Sequence, residues 1–215
     1  MARTRLTRDE SKAVTLSRIL LAADTVFEHK GFVAASVDEI ADEAGYSKGA
    51  VYANFPTKQA LFLAVAGQRM RDTGAELFSA IRAATTPVEL VGNVNDWFRA
   101  RRRTTIDRFA LNIEFWMIMA RDPKLREIGG RSFQMARSRT AEIVSEQVER
   151  HALRPNLSPE SIATIMIALR SGIETQEWFD PGGISETIVG DLLEVLLGLP
   201  QVNSLPISAE LHAPP

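Results

Sequence analysis

The chain has 215 residues, a formal net charge of −2 from 25 Lys plus Arg against 27 Asp plus Glu, three histidines and no cysteine. That length can bury a core without disulfides, and the lack of cysteine excludes thiolate catalysis, Cys-ligated zinc and iron–sulfur sites, as fits a reducing compartment. His29, His151 and His212 stand too far apart in sequence to form a recognisable metal motif, so neither a metal nor a cofactor is expected.

Residues 1–12 carry charges and no apolar stretch of signal-peptide length. The longest apolar runs, such as LEVLLGLP at 193–200, are far too short to cross a bilayer. A soluble, cytoplasmic protein with no membrane partner is expected. A net charge near zero does not exclude a polyanion, because a binding footprint needs only a local basic surface. The first eighteen residues supply one: Arg3, Arg5, Arg8, Lys12 and Arg18 against Asp9 and Glu10.

Apolar residues recur at helical spacing along nearly the whole chain, with Pro and Gly between the segments and no alternating run that would make a strand. The fold class is all-α. A first helix over 15–29 places Leu16, Ile19, Leu20, Ala23 and Phe27 on one face, and Gly31 follows where a left-handed cap is expected. Ser36 and Glu39 have capping-box spacing, and Val37, Ile40, Ala41 and Ala44 form the buried stripe of a two-turn helix that Gly45 ends. Ser47 caps the next short helix, whose Val51 and Phe55 fall on one side before Pro56 stops it. Thr57 opens a long linking helix over 57–84 with Leu61, Phe62 and Val65 inward, and Gly67 and Gly74 are expected as bends. Further helices are predicted over 88–103, 105–119, 123–151, 159–179 and 184–197. Ser158-Pro159 marks the start of the fourth of these, and Asp180-Pro181-Gly182-Gly183 the break before the last.

Two short amphipathic helices joined by a tight glycine turn are a helix-turn-helix, spanning 36–55, which lays its second helix in the major groove of duplex DNA. With Val51 and Phe55 inward, Gly49, Ala50 and Ala53 face out, Tyr52 lies at the flank and Lys48 near the helix start. Small outward residues let the backbone approach base edges, and an Ala methyl can meet a thymine methyl. Lys48 can donate to guanine or phosphate, Tyr52 reaches the phosphate backbone, and Lys58 adds a cation in the first turn of the following helix. Ser36, which caps the first helix of the pair, joins these as a DNA-facing residue. Gly45-Tyr46-Ser47-Lys48-Gly49 also matches the G-x-S-x-G nucleophile elbow, but that motif needs a strand-to-helix turn above a sheet. Ser47 is therefore read as a cap, and the protein as no enzyme.

Phe27, Gly31-Phe32, Ser36-Val37-Asp38-Glu39-Ile40-Ala41, Ala44-Gly45-Tyr46-Ser47, and Lys48-Gly49-Ala50-Val51-Tyr52 with Asn54-Phe55 and Lys58 make the segment resemble the DNA-binding domain of TetR-family repressors. The resemblance implies base or near-base contacts from Lys48, Gly49, Ala50 and Ala53, and phosphate contacts from Tyr52, Asn54 and Lys58. Ala53 is smaller than its counterpart in other members, which leaves room for the basic arm, Arg3 and Arg5, to reach an adjacent groove. It also implies the word repressor, and an effector cavity in a larger helical domain that follows. The expected organisation is then an arm and reading head over 1–56, an effector-binding and dimerisation domain over 57–199, and a flexible tail over 200–215.

For that second domain the candidate effector contacts are Trp97, Phe109, Asn112, Glu114, Phe115, Trp116, Met119, Phe133 and Met166, flat apolar walls with a polar group or two. Arg99, Arg101, Arg102 and Arg103 are read as a solvated helix end that suits the dipole, with an anion site as the sharper alternative. The last two helices are apolar around more than one face, which implies a partner. Ile162, Ile165, Leu169, Ile188, Leu192, Val195 and Leu196 are the expected interface of a homodimer closed by a four-helix bundle. Duplex DNA, a second copy and a small, mainly apolar effector are thus the expected partners of a ligand-responsive repressor. The rivals are a helical enzyme acting on a small apolar compound, and a helix-turn-helix that docks on protein.

Overall fold

The structure, a computed structural model, describes residues 7–199 and, for 103–107, the backbone alone. The expectations at Arg3, Arg5 and 200–215 lie outside the described residues. Among those described there are nine helices and no strand: α1 (Arg8–Ala34), α2 (Val37–Ala44), α3 (Lys48–Asn54), α4 (Lys58–Ala83), α5 (Pro87–Asp107), α6 (Phe109–Arg121), α7 (Pro123–Arg150), α8 (Pro159–Phe179) and α9 (Ile188–Leu197). No described helix is long and apolar enough to cross a membrane.

The chain divides into two compact units. One holds residues up to Glu76 together with Thr104–Gly130, and the other holds Leu77–Arg103 with the residues from Arg131 on. The division therefore falls inside α4, α5 and α7 rather than at 56/57, and it places α6 with the helix-turn-helix.

The first unit is built on Ile19, Phe27, Ile40, Val51, Leu61 and Phe62, all essentially buried. Its first helix begins a full two turns before the expected residue 15. Thr7 and Glu10 form a capping box, Thr7 Oγ1 accepting from Glu10 N–H at 3.2 Å and Glu10 accepting from Thr7 N–H at 2.7 Å. Thr7 lies ahead of the apolar periodicity, so the box was hidden in what reads as a charged tail. Arg8 and Lys12 consequently stand on α1, where Arg18 is already expected.

At the other end of α1, Gly31 does take a positive φ, 72°, but with ψ 174° it kinks the helix instead of closing it. The kink frees the Phe32 N–H, which donates to Glu114 Oε2 of α6 at 2.6 Å. Arg108 adds a second tie between these helices by donating to Glu28 at 3.0 Å, and the pair holds the Glu28 carboxyl below its usual range. Glu114, expected among the effector contacts, is thus placed as a clasp on α1. Phe115 likewise packs with the helix-turn-helix core, its ring 6.2 Å from that of Phe62.

In the second unit, Leu90 and Val94 of α5, Ile162 of α8 and Val189, Leu193, Leu196 and Leu197 of α9 make the core. Two expected dimer residues, Ile162 and Leu196, are therefore core, and Ile165, Leu169 and Leu192 pack half-buried against it. Periodicity counts apolar faces but cannot say how many of them one subunit covers. Of the expected set, Ile188 and Val195 stay exposed. Neither Gly67 nor Gly74 breaks α4, which is helical through both, and α9 starts at Ile188 because residues 180–187 are taken up by turns and bends.

Within the arginine cluster Arg99 stays exposed and the side chain of Arg103 lies outside the described residues, but Arg102 does not end in solvent. Arg102 donates Nε to Glu177 Oε2 at 2.7 Å, pairs a second time with the same carboxylate, and donates to the Ile184 carbonyl at 3.1 Å, while Glu177 is buried. A fork–carboxylate pair of this kind satisfies the charge of the buried carboxylate from a half-buried guanidinium. Arg99 pairs with Asp96, and Arg101 lies over the Trp97 ring.

Gly31 carries a specific expectation. Its φ and ψ are open essentially to glycine only, and a Cβ there would stand 3.2 Å from Glu114 Oε1. Gly31→Ala should lower the unfolding free energy by about 1–3 kcal/mol, read by chemical denaturation. Unchanged stability would show that the kink is not imposed by the fold.

Candidate nucleic-acid interface

The helix-turn-helix is built by local signals. Ser36 caps α2 in a complete capping box with Glu39, and Gly45 closes the helix in the left-handed region with φ 70°. Lys30 and then Ser36 hold the Glu39 carboxyl down at about 2, so the box stays charged throughout the neutral range. Ser47 accepts from Ala50 N–H and caps α3, as its position in the sequence predicts.

Burial then orients α3. Val51 and Phe55 are turned into the core, while Lys48, Gly49, Tyr52 and Ala53 are exposed and Ala50 and Asn54 are half-buried. A Cβ at Gly49 would meet only Ser47 Oγ, at 3.8 Å. Nothing among the described residues calls for glycine there, whereas a surface approaching the backbone from outside would. The Asn54 amide donates to the Ala50 carbonyl at 2.8 Å, and its side chain lines an open cleft of about 520 Å³ with Arg8, Asp9, Ser11, Lys12 and Thr15. The early start of α1 therefore brings two cations beside the end of α3, a feature that the tail reading missed.

Lys58 is placed differently from the phosphate contact expected of it. Its ammonium donates to the carbonyls of Phe32, Val33 and Ala35 at 2.8, 3.2 and 2.8 Å and sits 4.6 Å from the Phe32 ring centre. Three carbonyls released by the α1 kink and the following turn thus take all three of its protons. Lys48 is also paired, to Asp38 of α2 at 2.8 Å. The two residues are ten apart, and only the crossing of α2 and α3 makes them neighbours.

The nine residues expected to contact an effector are divided between the two units. Phe109, Asn112, Glu114, Phe115, Trp116 and Met119 belong to the first unit; Trp97, Phe133 and Met166 belong to the second. Within the second unit, Asn95 Oδ1, Trp97 Nε1 and Gln147 Oε1 are buried without a hydrogen-bond partner. Among the described residues no group of three or more His, Asp or Glu is placed to hold a metal ion.

Residues 19–65 match the family model described as bacterial regulatory proteins, tetR family. The chain is 40% identical over 81 residues to the HTH-type transcriptional activator FasR of Mycolicibacterium smegmatis (strain ATCC 700084 / mc(2)155), a stretch that is 38% of this chain and 35% of that protein. It therefore spans about a third of that relative's length. With the uncharacterized HTH-type transcriptional regulator YfiR of Bacillus subtilis (strain 168) it shares 23% identity over 171 residues, 76% of this chain and 80% of the other. The crystal structure of a TetR-family transcriptional regulator from Rhodococcus sp. superimposes with a TM-score of 0.69 at 18% identity, covering 86% of this chain and 99% of that one, a likeness of fold.

Lys58→Met leaves three carbonyls without their donor. Unsatisfied buried acceptors cost about 1–3 kcal/mol each where they are fully cut off from water, and these are only partly so. A loss of about 1–3 kcal/mol in total is expected by denaturant titration. A variant as stable as the parent would assign Lys58 to a surface role.

Proposed function

We propose, from the match of residues 19–65 and the likeness of fold, that the chain is a TetR-family protein, a dimeric, ligand-responsive transcriptional repressor that reads a near-palindromic operator with α3. One observation carries the reading: α3 buries Val51 and Phe55 and turns an exposed face of Lys48, Gly49, Tyr52 and Ala53 outward, with no protein contact that would call for so small a surface. Lys48, Gly49, Ala50 and Ala53 meet base edges, Tyr52 and the Ser36 end of α2 meet phosphates, and Arg8 and Lys12 continue the footprint along the backbone. Asn54 takes its place at the end of that footprint. Arg3 and Arg5, ahead of Thr7, are assigned to an adjacent groove.

Exposed Trp178 on α8 and Ile188 and Val195 on α9 support a second copy docked on the last two helices. A two-fold pair would set its reading helices about 34 Å apart, in successive major grooves. Ligand responsiveness rests on the second unit. Buried polar atoms nearly always find a partner, and Asn95, Trp97 and Gln147 each leave one without. An effector with an apolar body and a few polar groups would use Trp97 and Met166 as walls and those atoms as anchors. By favouring a dimer whose heads no longer fit one operator, it would release the DNA. The protein acts in the cytoplasm and catalyses no reaction.

The full chain, purified and presented with a random duplex pool at moderate salt, should enrich a near-palindrome with half-sites one helical turn apart. Gly49→Leu should fold normally, since leucine is the better helix former, and bind the enriched duplex at least tenfold more weakly. Failure of the pool to enrich, with the protein folded and dimeric, would reject the reading. A reporter carrying the enriched site then gives the sign of regulation: expression that falls with the protein supports the repressor, and expression that rises supports an activator, the activity that the name of the Mycolicibacterium relative gives it.

A further inference from the structure

The reading helix carries one cation in its seven residues, Lys48, and the protein holds that cation itself. Lys48 is the first residue of α3 and Asp38 the second of α2, and the ammonium donates to Asp38 Oδ2 at 2.8 Å. Both side chains remain more than half exposed. The adjacent Glu39 is otherwise engaged, pairing with Lys30 and closing the Ser36 cap, and the Asp38 carboxylate holds Lys48 on the outer surface of the motif.

Resting on the DNA-reading function proposed above, we infer that Asp38 is a specificity-determining residue, which withholds Lys48 from phosphates and releases it to the base edges of a G·C pair. An exposed ion pair is worth little and exchanges readily, so the clasp is easily opened by a better acceptor. In sequence-independent binding, with α3 not seated against base edges, the acceptors that meet Lys48 are phosphates. Moving Lys48 to one of them strands a carboxylate against a polyanion, with nothing to donate to it. In the major groove of a G·C pair the chemistry is matched on both sides. Guanine O6 and N7 accept from a lysine, and the cytosine N4 amino group donates to a carboxylate. The pair can thus hand over both partners together at a G·C step, and neither at the backbone. Asp38 lowers sequence-independent binding more than it lowers cognate binding.

The test compares wild type, Asp38→Asn, Lys48→Met and the double variant, each confirmed as folded by its thermal transition. Each is titrated with the duplex enriched from the random pool and with the unselected pool, across a range of salt. Asp38→Asn should bind the unselected pool at least threefold more tightly and lower the ratio of enriched to unselected affinity. It should also steepen the salt dependence on the unselected pool by about 0.9 in log–log slope, the value for one further phosphate contact. In the Lys48→Met background the same change should do neither, because the carboxylate acts through the lysine. Asp38→Glu, which keeps the charge, should restore the wild-type slope. An unchanged ratio and slope in Asp38→Asn, or an equal effect with and without Lys48, would overturn the inference while leaving the DNA-reading function intact. Absence of duplex binding by wild type at any salt would overturn that function and the inference with it, and so is told apart from failure of the inference alone.

Discussion

The position of α3 depends on one packing constraint: Val51 and Phe55 must sit in the core formed by Ile19 and Phe27 of α1, Ile40 of α2 and Leu61 and Phe62 of α4. A helix of seven residues has no stability of its own in water. Its geometry is supplied by the two side chains it buries, by Ser47 at its start and by the αL turn at Gly45. Once Val51 is inside, helical periodicity leaves no freedom in which residues face out. The rings of Phe27, Phe32 and Phe62, with Phe115 of α6 against the last, continue that core as a chain of tilted and edge-on contacts.

The same unit manages its polar groups by using each charge to close a backbone defect. The kink at Gly31 exposes an N–H that Glu114 takes and carbonyls that Lys58 takes, so one irregularity is satisfied from both signs. A strained glycine, a carboxylate on α6 and a lysine opening α4 are in this way one arrangement, and removing any member leaves the others with unmet partners. In the second unit the Arg102–Glu177 pair plays a comparable part, with the Ile184 carbonyl completing the guanidinium's contacts. These charges are structural, which separates them from the cations left on the outer face of the first unit.

That outer face combines a small, apolar reading helix with positive charge held at its margins. Arg8 and Lys12 stand beside Asn54, and Lys48 is held by Asp38. A surface of this kind suits close approach to a groove with electrostatic attraction from the sides. Ser47, the serine of the G-x-S-x-G pattern, accepts from Ala50 N–H at the first turn of a helix, with no strand among the described residues to form an elbow.

By itself, the sequence determined the all-α class, the helix-turn-helix with its caps at Ser36, Gly45 and Ser47, the inward pair Val51 and Phe55, and the family likeness of residues 19–65. These rest on signals a few residues long: capping hydroxyls, a glycine with positive φ, and apolar spacing. Tertiary structure alone decided that α6 belongs with the reading head, that Glu114 and Lys58 serve the α1 kink, that Arg102 is paired in the interior, and that Ile162 and Leu196 are core. Each of these depends on a partner 23 to 82 residues distant or on which of two apolar faces its own subunit covers. Periodicity states that a face is apolar and a charge is present; only the packing of one helix on another states what meets them.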